Sequence, residues 1–204
     1  VMLIANWNAK YAAFALAVAK TCIAGKIKNG RQVLLRGARE TRIPEDQAIL
    51  SRGADDLAAA LRALPEAGDL DVLRGVEGDA ARKYFGCVNI LVRADARPHF
   101  SMDGRTRRPP RDRMNALLSF LYSMLMNDCR SALEAVGLDP QLGFLHTVRP
   151  GRAALALDLM EEFRAIFADR LALTLTNRGQ INANDFTERE GGAVLLEGDA
   201  RRTV

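Results

Sequence analysis

The chain has 204 residues, of which 49% are hydrophobic and 26% charged, with a formal net charge of +4. That supports one good-sized core or two small ones, and the mild charge points to nucleic acid only where it is concentrated. No apolar run approaches the roughly 18 residues of a membrane span; the nearest, 12–19, is flanked by Lys10 and Lys20, and without a signal-peptide pattern the cytoplasm is the expected compartment.

Cys22, Cys87 and Cys129 lie far apart in helical contexts. They fit buried thiols in a reducing compartment, not a disulfide frame or a zinc site. The start, Val1-Met2-Leu3-Ile4, reads as part of something longer.

Residues 7–25, beginning at Trp7, are alanine-rich with apolar positions on helical spacing. Lys20, Lys26, Lys28 and Arg31 follow. Asn29-Gly30 predicts a turn or a helix irregularity before helical character resumes over 32–39, with Arg36 and Arg39 outward. Pro44 with Glu45 and Asp46 is a helix start, because early carboxylates complement the dipole. The helix over 46–64 carries Ile49, Leu57, Leu61 and Leu64 on helical spacing.

Residues 69–92 form the next strong helix. Gly75 and Gly78 bracket Glu77 inside it, and each costs about 1 kcal/mol against alanine. Close approach of another backbone or of a ligand is the expected reason; the plainer one is tight helix packing.

Residues 94–110 read as a basic linker or lid, because Pro98, Pro109 and Pro110 oppose helix. Arg97, Arg105, Arg107 and Arg108, continued by Arg111 and Arg113, concentrate positive charge there. A charge run is usually just a solvated face; here arginine without lysine favours bidentate phosphate contacts. His99 is a loop residue. An amphipathic helix over 112–136 follows, with Leu117, Leu118, Leu121, Leu125 and Leu133 apolar and Asn115, Ser119 and Tyr122 as a polar stripe. Met114, Met124 and Met126 are read as core.

The stretch 143–164, GFLHTVRPGRAALALDLMEEFR, carries the most chemistry. His146 is one of only two histidines. Pro150-Gly151 breaks the backbone after it, and helix follows over 153–171. Asp158 and Glu161 share a helix face. Asp158, among apolar neighbours, is either on a solvated stripe or held against something positive. Glu77, His146 and Asp158 or Glu161 are candidate ligands, better suited to Mg²⁺ or Mn²⁺ than to zinc. The plain alternative is a polar helix face beside a packed histidine. Residues 177–184 are a polar connection, and Phe186-Thr187 with 193–196 around Gly191-Gly192 predict a small hairpin. No phosphate-binding loop or nucleophile triad has recognisable context.

Several stretches together resemble one family: LRGVEGDAARKYF (73–85), RRPPRDRMNALLSFLY (107–122), GFLH (143–146), DLMEEFR (158–164) and Gly25-Lys26-Ile27-x-Asn29-x-Arg31 with Leu35-Arg36. They look like the CRISPR-associated spacer-acquisition integrase, in the family's order. The resemblance implies a mainly α, single catalytic helical domain over 1–204, with 95–110 as a basic loop and at most a small β-hairpin. It covers only the family's C-terminal helical domain, so the family's N-terminal β-rich domain is expected to lie outside this chain, which puts dimerisation in question.

It implies a metal-dependent DNA endonuclease and integrase that inserts prespacers at the CRISPR repeat by transesterification. Mg²⁺ or Mn²⁺ would sit on Glu77, His146 and Glu161, with Asp158 assisting. Asn115, Tyr122, Tyr84 and Arg164 would line the site, and Arg105, Arg107, Arg108 and Arg111 would hold DNA phosphates. Its implied partners are a second copy of the integrase and a small ferredoxin-like adaptation subunit. A helical nucleic-acid-binding or partner-docking module without catalysis is the alternative; it would keep the arginines but need no convergence of Glu77, His146 and Glu161.

Overall fold

The computed structural model describes residues 2–204, with side chains from Lys10 onward. Val1 and the Trp7 side chain lie outside the described residues. Helix α1 (Met2–Glu40) is the spine. Its buried face runs through Ala15, Ala19, Ile23, Ile27, Leu34 and Ala38, four or seven apart, so one side of the helix stays in the core. The turn expected at Asn29-Gly30 does not form. Gly30 sits in mid-helix because a Cβ there would stand 3.3 Å from the Tyr84 ring. Gly37 and Gly53 are tighter still: their Cβ atoms would fall 2.3 Å from Leu91 and 2.6 Å from the Cys87 sulfur.

Helices α2 (Pro44–Ala63) and α3 (Leu70–Leu91) pack on this spine. Asp69 caps α3, accepting from the N–H groups of Asp71 and Val72. In α2 the core positions are Leu50, Ala54 and Leu57, while Ile49, expected on the apolar face, is exposed. Asp46 does more than complement a dipole: it is buried and ion-paired with Arg97.

The segment 94–110 is not a free lid. Arg97–Phe100 forms a short helix, α4, that includes His99. Phe100 and Met102 are buried in the main core, and Asn89 exchanges hydrogen bonds with the Met102 backbone. Helix α5 (Arg113–Ala135) is capped by Asp112. Met114 is core, but Met124 is exposed.

The helix expected over 153–171 is divided into α6 (Ala154–Phe163), a π-helical segment Arg164–Asp169, and α7 (Arg170–Asn177). β1 (Phe186–Arg189) and β2 (Ala193–Leu196) pair antiparallel as the anticipated hairpin, with Thr187 opposite Leu195. Helix α8 (Gly198–Thr203) follows. The fold is therefore mainly α with one small hairpin. Among the described residues no helix is long and apolar enough to cross a membrane.

Candidate active site

Helices α1, α3 and α6 and the loop before α6 converge on one cleft. Arg74, Glu77, His146, Arg152 and Glu161 line its volume of about 300 Å³. Gly143 shapes the loop: a Cβ there would fall 2.7 Å from the Ala154 backbone. The chain can therefore fold back over the start of α6, and the Arg74 guanidinium holds it by donating to the Leu145 carbonyl at 2.7 Å.

Asp158 organises that loop. Its carboxylate, 1% exposed, accepts the backbone N–H groups of Phe144, Leu145 and His146 at 2.6, 3.0 and 3.0 Å. It also meets His146 Nδ1 at 2.6 Å. A carboxylate has only acceptors, so Nδ1 carries a proton, and in the neutral imidazole Nε2 is the free lone pair. Asp158 has no oxygen open toward a second ion. It is the outer partner that fixes a ligating imidazole's tautomer and orientation.

Glu161, 3% exposed, lies one turn on. Its Oε1 is 3.1 Å from Arg164 Nη2 and 3.9 Å from His146 Nε2. Its Oε2 is 2.8 Å from the Lys26 ammonium, which also contacts Glu77 Oε1, yet Oε2 has no properly directed hydrogen bond. Burial pushes the Glu161 carboxyl up, but Lys26 and Arg164 outweigh it and hold the group below its ordinary range.

The two carboxylates thus flank a positive charge, with the imidazole beside one of them. Among the described residues no three acidic, histidine or cysteine side chains close on a single point as placed, because Lys26 occupies the space between Glu77 and Glu161. The donors nevertheless fit a hard divalent cation: carboxylate oxygens, one neutral imidazole nitrogen, and a buried oxygen lacking a directed donor.

Sequence reasoning placed Glu77, His146, Asp158, Glu161 and Arg164 here, and the structure brings these five together. It missed Lys26 as a member of the site. The signal was its place in the Gly25-Lys26-Ile27-x-Asn29 motif. A Cβ on Gly25 would fall 2.9 Å from Glu162, and Asn29 donates to the Glu162 carbonyl at 2.8 Å. That docking sets Lys26 over the carboxylates. Gly75 and Gly78, expected to admit a close backbone, meet nothing within 4 Å and leave the chain open on either side of Glu77.

Asn115 and Arg105 are elsewhere. Asn115 Oδ1 accepts from Arg105 Nη1 at 2.7 Å and from the Thr106 N–H at 3.0 Å. Its Nδ2 donates to the Gly104 carbonyl and to Asp112 at 2.9 and 2.6 Å. Asn115 therefore pins the basic loop instead of lining the cleft. Arg105 is engaged by Asn115 and Ser119 and stacks over Tyr122 at 5.1 Å, so its guanidinium is not free to grip DNA. Arg111 is exposed but donates to the Gly191 carbonyl at 2.5 Å. Arg107 and Arg108 remain exposed.

Tyr122 and Tyr84 are buried behind the cleft, both donating to Asp169 at 2.6 and 2.9 Å. Burial drives both phenols well above their ordinary range, with the Asp169 charge adding. Burial also raises Asp169, against the two tyrosine hydrogen bonds. Arg164 also covers the Tyr122 ring at 5.1 Å, and it links this cluster to Glu161. Sequence reasoning missed Asp169; the π-helical turn that aims it inward has no periodic signature. Burial, then the charges of Asp158, Glu162 and Glu161, push the Cys22 thiol up to about 11, in keeping with an inert free thiol.

The family model described as CRISPR associated protein Cas1 matches residues 3–204. A CRISPR-associated endonuclease Cas1 from Moorella thermoacetica is 57% identical over 92% of this chain and 54% of its own length. Among solved structures, a casposase bound to an integration product superposes with a TM-score of 0.78 at 27% identity, over 94% of this chain and 54% of that one. A chain of a partial Cas6-RT-Cas1–Cas2 complex gives 0.80 at 31% identity, over 94% and 55%. The chain spans about half the length of these relatives.

Proposed function

This chain belongs to the Cas1 family of CRISPR-associated proteins, and on that premise we propose that it is the catalytic helical domain of a metal-dependent DNA endonuclease and integrase. In this reading it joins prespacer DNA to a CRISPR repeat by transesterification, in the cytoplasm. It works as part of a homodimer and beside a small ferredoxin-like adaptation subunit. The neighbours named for a Cas1–Cas2 complex and for a bound integration product support a partner subunit and DNA.

The observation that carries the proposal is that Glu77 and Glu161 share the Lys26 ammonium while His146 Nε2 stands 3.9 Å from Glu161 Oε1, with Asp158 locking the imidazole. Those three residues would hold Mg²⁺ or Mn²⁺. A bound ion supplies positive charge against the phosphodiester under attack.

The chain's own groups do the rest. Asp158 holds the proton at His146 Nδ1 and keeps Nε2 aimed into the cleft. Arg164 steadies Glu161 from the buried side. Arg152 lines the cleft and adds positive charge where an anionic backbone enters. Arg107 and Arg108 hold DNA phosphates from the loop whose root is stacked, through Arg105 and Tyr122, on Arg164.

His146→Ala tests this reading. DNA affinity comes from many phosphate contacts, and removing one neutral imidazole changes that sum little. Chemistry that depends on one ion should fall by at least about a hundredfold when one of three ligands is lost. The measurement is strand transfer and DNA binding, each against Mn²⁺, with the family's β-rich domain joined to the chain. Undiminished strand transfer at saturating Mn²⁺ would overturn the assignment of His146.

A further inference from the structure

We propose that Lys26 is a built-in counter-cation of this site: its ammonium holds Glu77 and Glu161 together until a divalent ion displaces it. The inference rests on the reading of Glu77, His146 and Glu161 as metal ligands.

The geometry singles Lys26 out. Its Nζ contacts Glu77 Oε1 and lies 2.8 Å from Glu161 Oε2, and its side chain is 15% exposed. The two carboxylates come from α3 and α6, two elements that would otherwise bring like charges together in one cleft. Lys26 reaches both because α1 is fixed immediately beside it. Gly25 lets α1 approach the Glu162 side chain closely, Asn29 bonds the Glu162 carbonyl, and Ile23 and Ile27 are buried in the core.

Charge balance sets the lysine and the ion against each other. Glu77 and Glu161 are already balanced by Lys26 and Arg164, and Arg74 and Arg152 line the same cleft. A divalent ion added with Lys26 in place would bring two more positive charges to carboxylates that are already neutralised. The ion and the ammonium also compete for the same two oxygens, Glu77 Oε1 and Glu161 Oε2. The two states are therefore mutually exclusive. Lysine is suited to such an exchange. Its charge is compact and rides on a flexible stem, so it can leave without dismantling α1, whereas a planar guanidinium is built for fixed two-pronged pairing. The released ammonium stays tethered at the cleft, where a phosphodiester approaches.

The test is Mn²⁺ binding itself, counted by loss of the free-ion electron paramagnetic resonance signal, with thermal unfolding in EDTA as the second readout. Lys26→Met should tighten Mn²⁺ binding by at least about tenfold, about 1.4 kcal/mol, and should unfold at lower temperature than the parent in EDTA. Saturating Mn²⁺ should close that gap. Lys26→Arg, which keeps the charge, should bind Mn²⁺ no more tightly than the parent does. If Lys26→Met does not fold without metal, Lys26→Gln carries the same expectation.

A folded Lys26→Met chain with unchanged or weaker Mn²⁺ affinity overturns the proposal. Glu161→Gln tells the two failures apart. If the parent binds Mn²⁺ and Glu161→Gln does not, the ligand reading stands and only the counter-cation falls. If the parent itself binds no Mn²⁺, the metal-ligand reading fails and this inference fails with it.

Discussion

The cleft at Glu77, His146 and Glu161 and the pin at Asn115 are both polar, both charged and both largely buried, but they are completed differently. Every polar atom of the Asn115 side chain has an internal partner, and four hydrogen bonds from one amide close the loop onto α5. In the cleft two carboxylates share one ammonium, and His146 Nε2 stands 3.9 Å from Glu161. A polar group satisfied within the chain contributes to the fold. One held in place with its bonding capacity unspent is available to a ligand. Asp158 stands between the two kinds: it is saturated, and its saturation is what leaves Nε2 open.

The largest way to break this contrast is at the pin. Asn115→Ala would empty a fully buried position and remove one partner each from the half-buried Arg105 guanidinium, which keeps Ser119, the half-buried Thr106 N–H and the exposed Gly104 carbonyl. We expect a loss of about 2 kcal/mol in unfolding free energy, since a buried amide is lost together with its hydrogen bonds. Urea unfolding reads it, and Mn²⁺ affinity measured on the remaining folded fraction should be unchanged. An Asn115→Ala chain of parental stability that failed to bind Mn²⁺ would place Asn115 in the cleft after all.

Glu77→Gln should do the opposite. Glu77 is a quarter exposed at its side chain, and a neutral amide of the same shape still accepts from Lys26. The expected stability change is below about 1 kcal/mol, in the range of partly exposed ion pairs. Mn²⁺ affinity should fall at least about tenfold, as expected for a lost carboxylate ligand. Isothermal titration with Mn²⁺ alongside urea unfolding separates the two effects. Destabilisation as severe as that of Asn115→Ala would mean the cleft is a structural ion-pair cluster.

The same distinction explains what the sequence could and could not disclose. Helical periodicity marked α1 to α3, α5 and α6 because burial repeats every three or four residues, and the Gly191-Gly192 turn marked the hairpin. The acidic and imidazole groups of the cleft were legible through motif resemblance, since their chemistry restricts residue type. Lys26 lies in a motif, but its role is hidden there because its partner Glu77 is 51 residues away and lysine is ordinarily a surface residue. Asn115 and Arg105 were misplaced because residue type cannot reveal whether an amide is saturated. The basic segment reads as a linker or lid because Phe100 and Met102, which bury it, are single apolar residues without a repeat. Asp169 depended on the π-helical turn, which shifts side chains off the register that periodicity assumes.

The smallest expected effect on stability sharpens the contrast within the basic loop itself. Arg105 is spent on Asn115, Ser119 and Tyr122, whereas Arg107 and Arg108 are exposed with no side-chain partner among the described residues. Replacing both Arg107 and Arg108 by alanine should therefore change unfolding free energy by less than about 0.5 kcal/mol, the usual range for surface positions. Their proposed work is done only with DNA present. Each phosphate neutralised by an arginine releases counterions and contributes about −0.9 to the slope of log K against log salt. If each arginine meets one phosphate, the double variant should flatten that slope by about 1.8, while Mn²⁺ affinity stays at the parental value because neither residue touches the cleft. Fluorescence anisotropy of labelled duplex DNA across a salt series reads the slope directly. An unchanged slope would remove Arg107 and Arg108 from the DNA contact and leave Arg152, at the cleft, as the arginine to test next. A loss of stability comparable to that of Asn115→Ala would instead mean that the whole loop, and not only its Asn115 root, is closed upon itself.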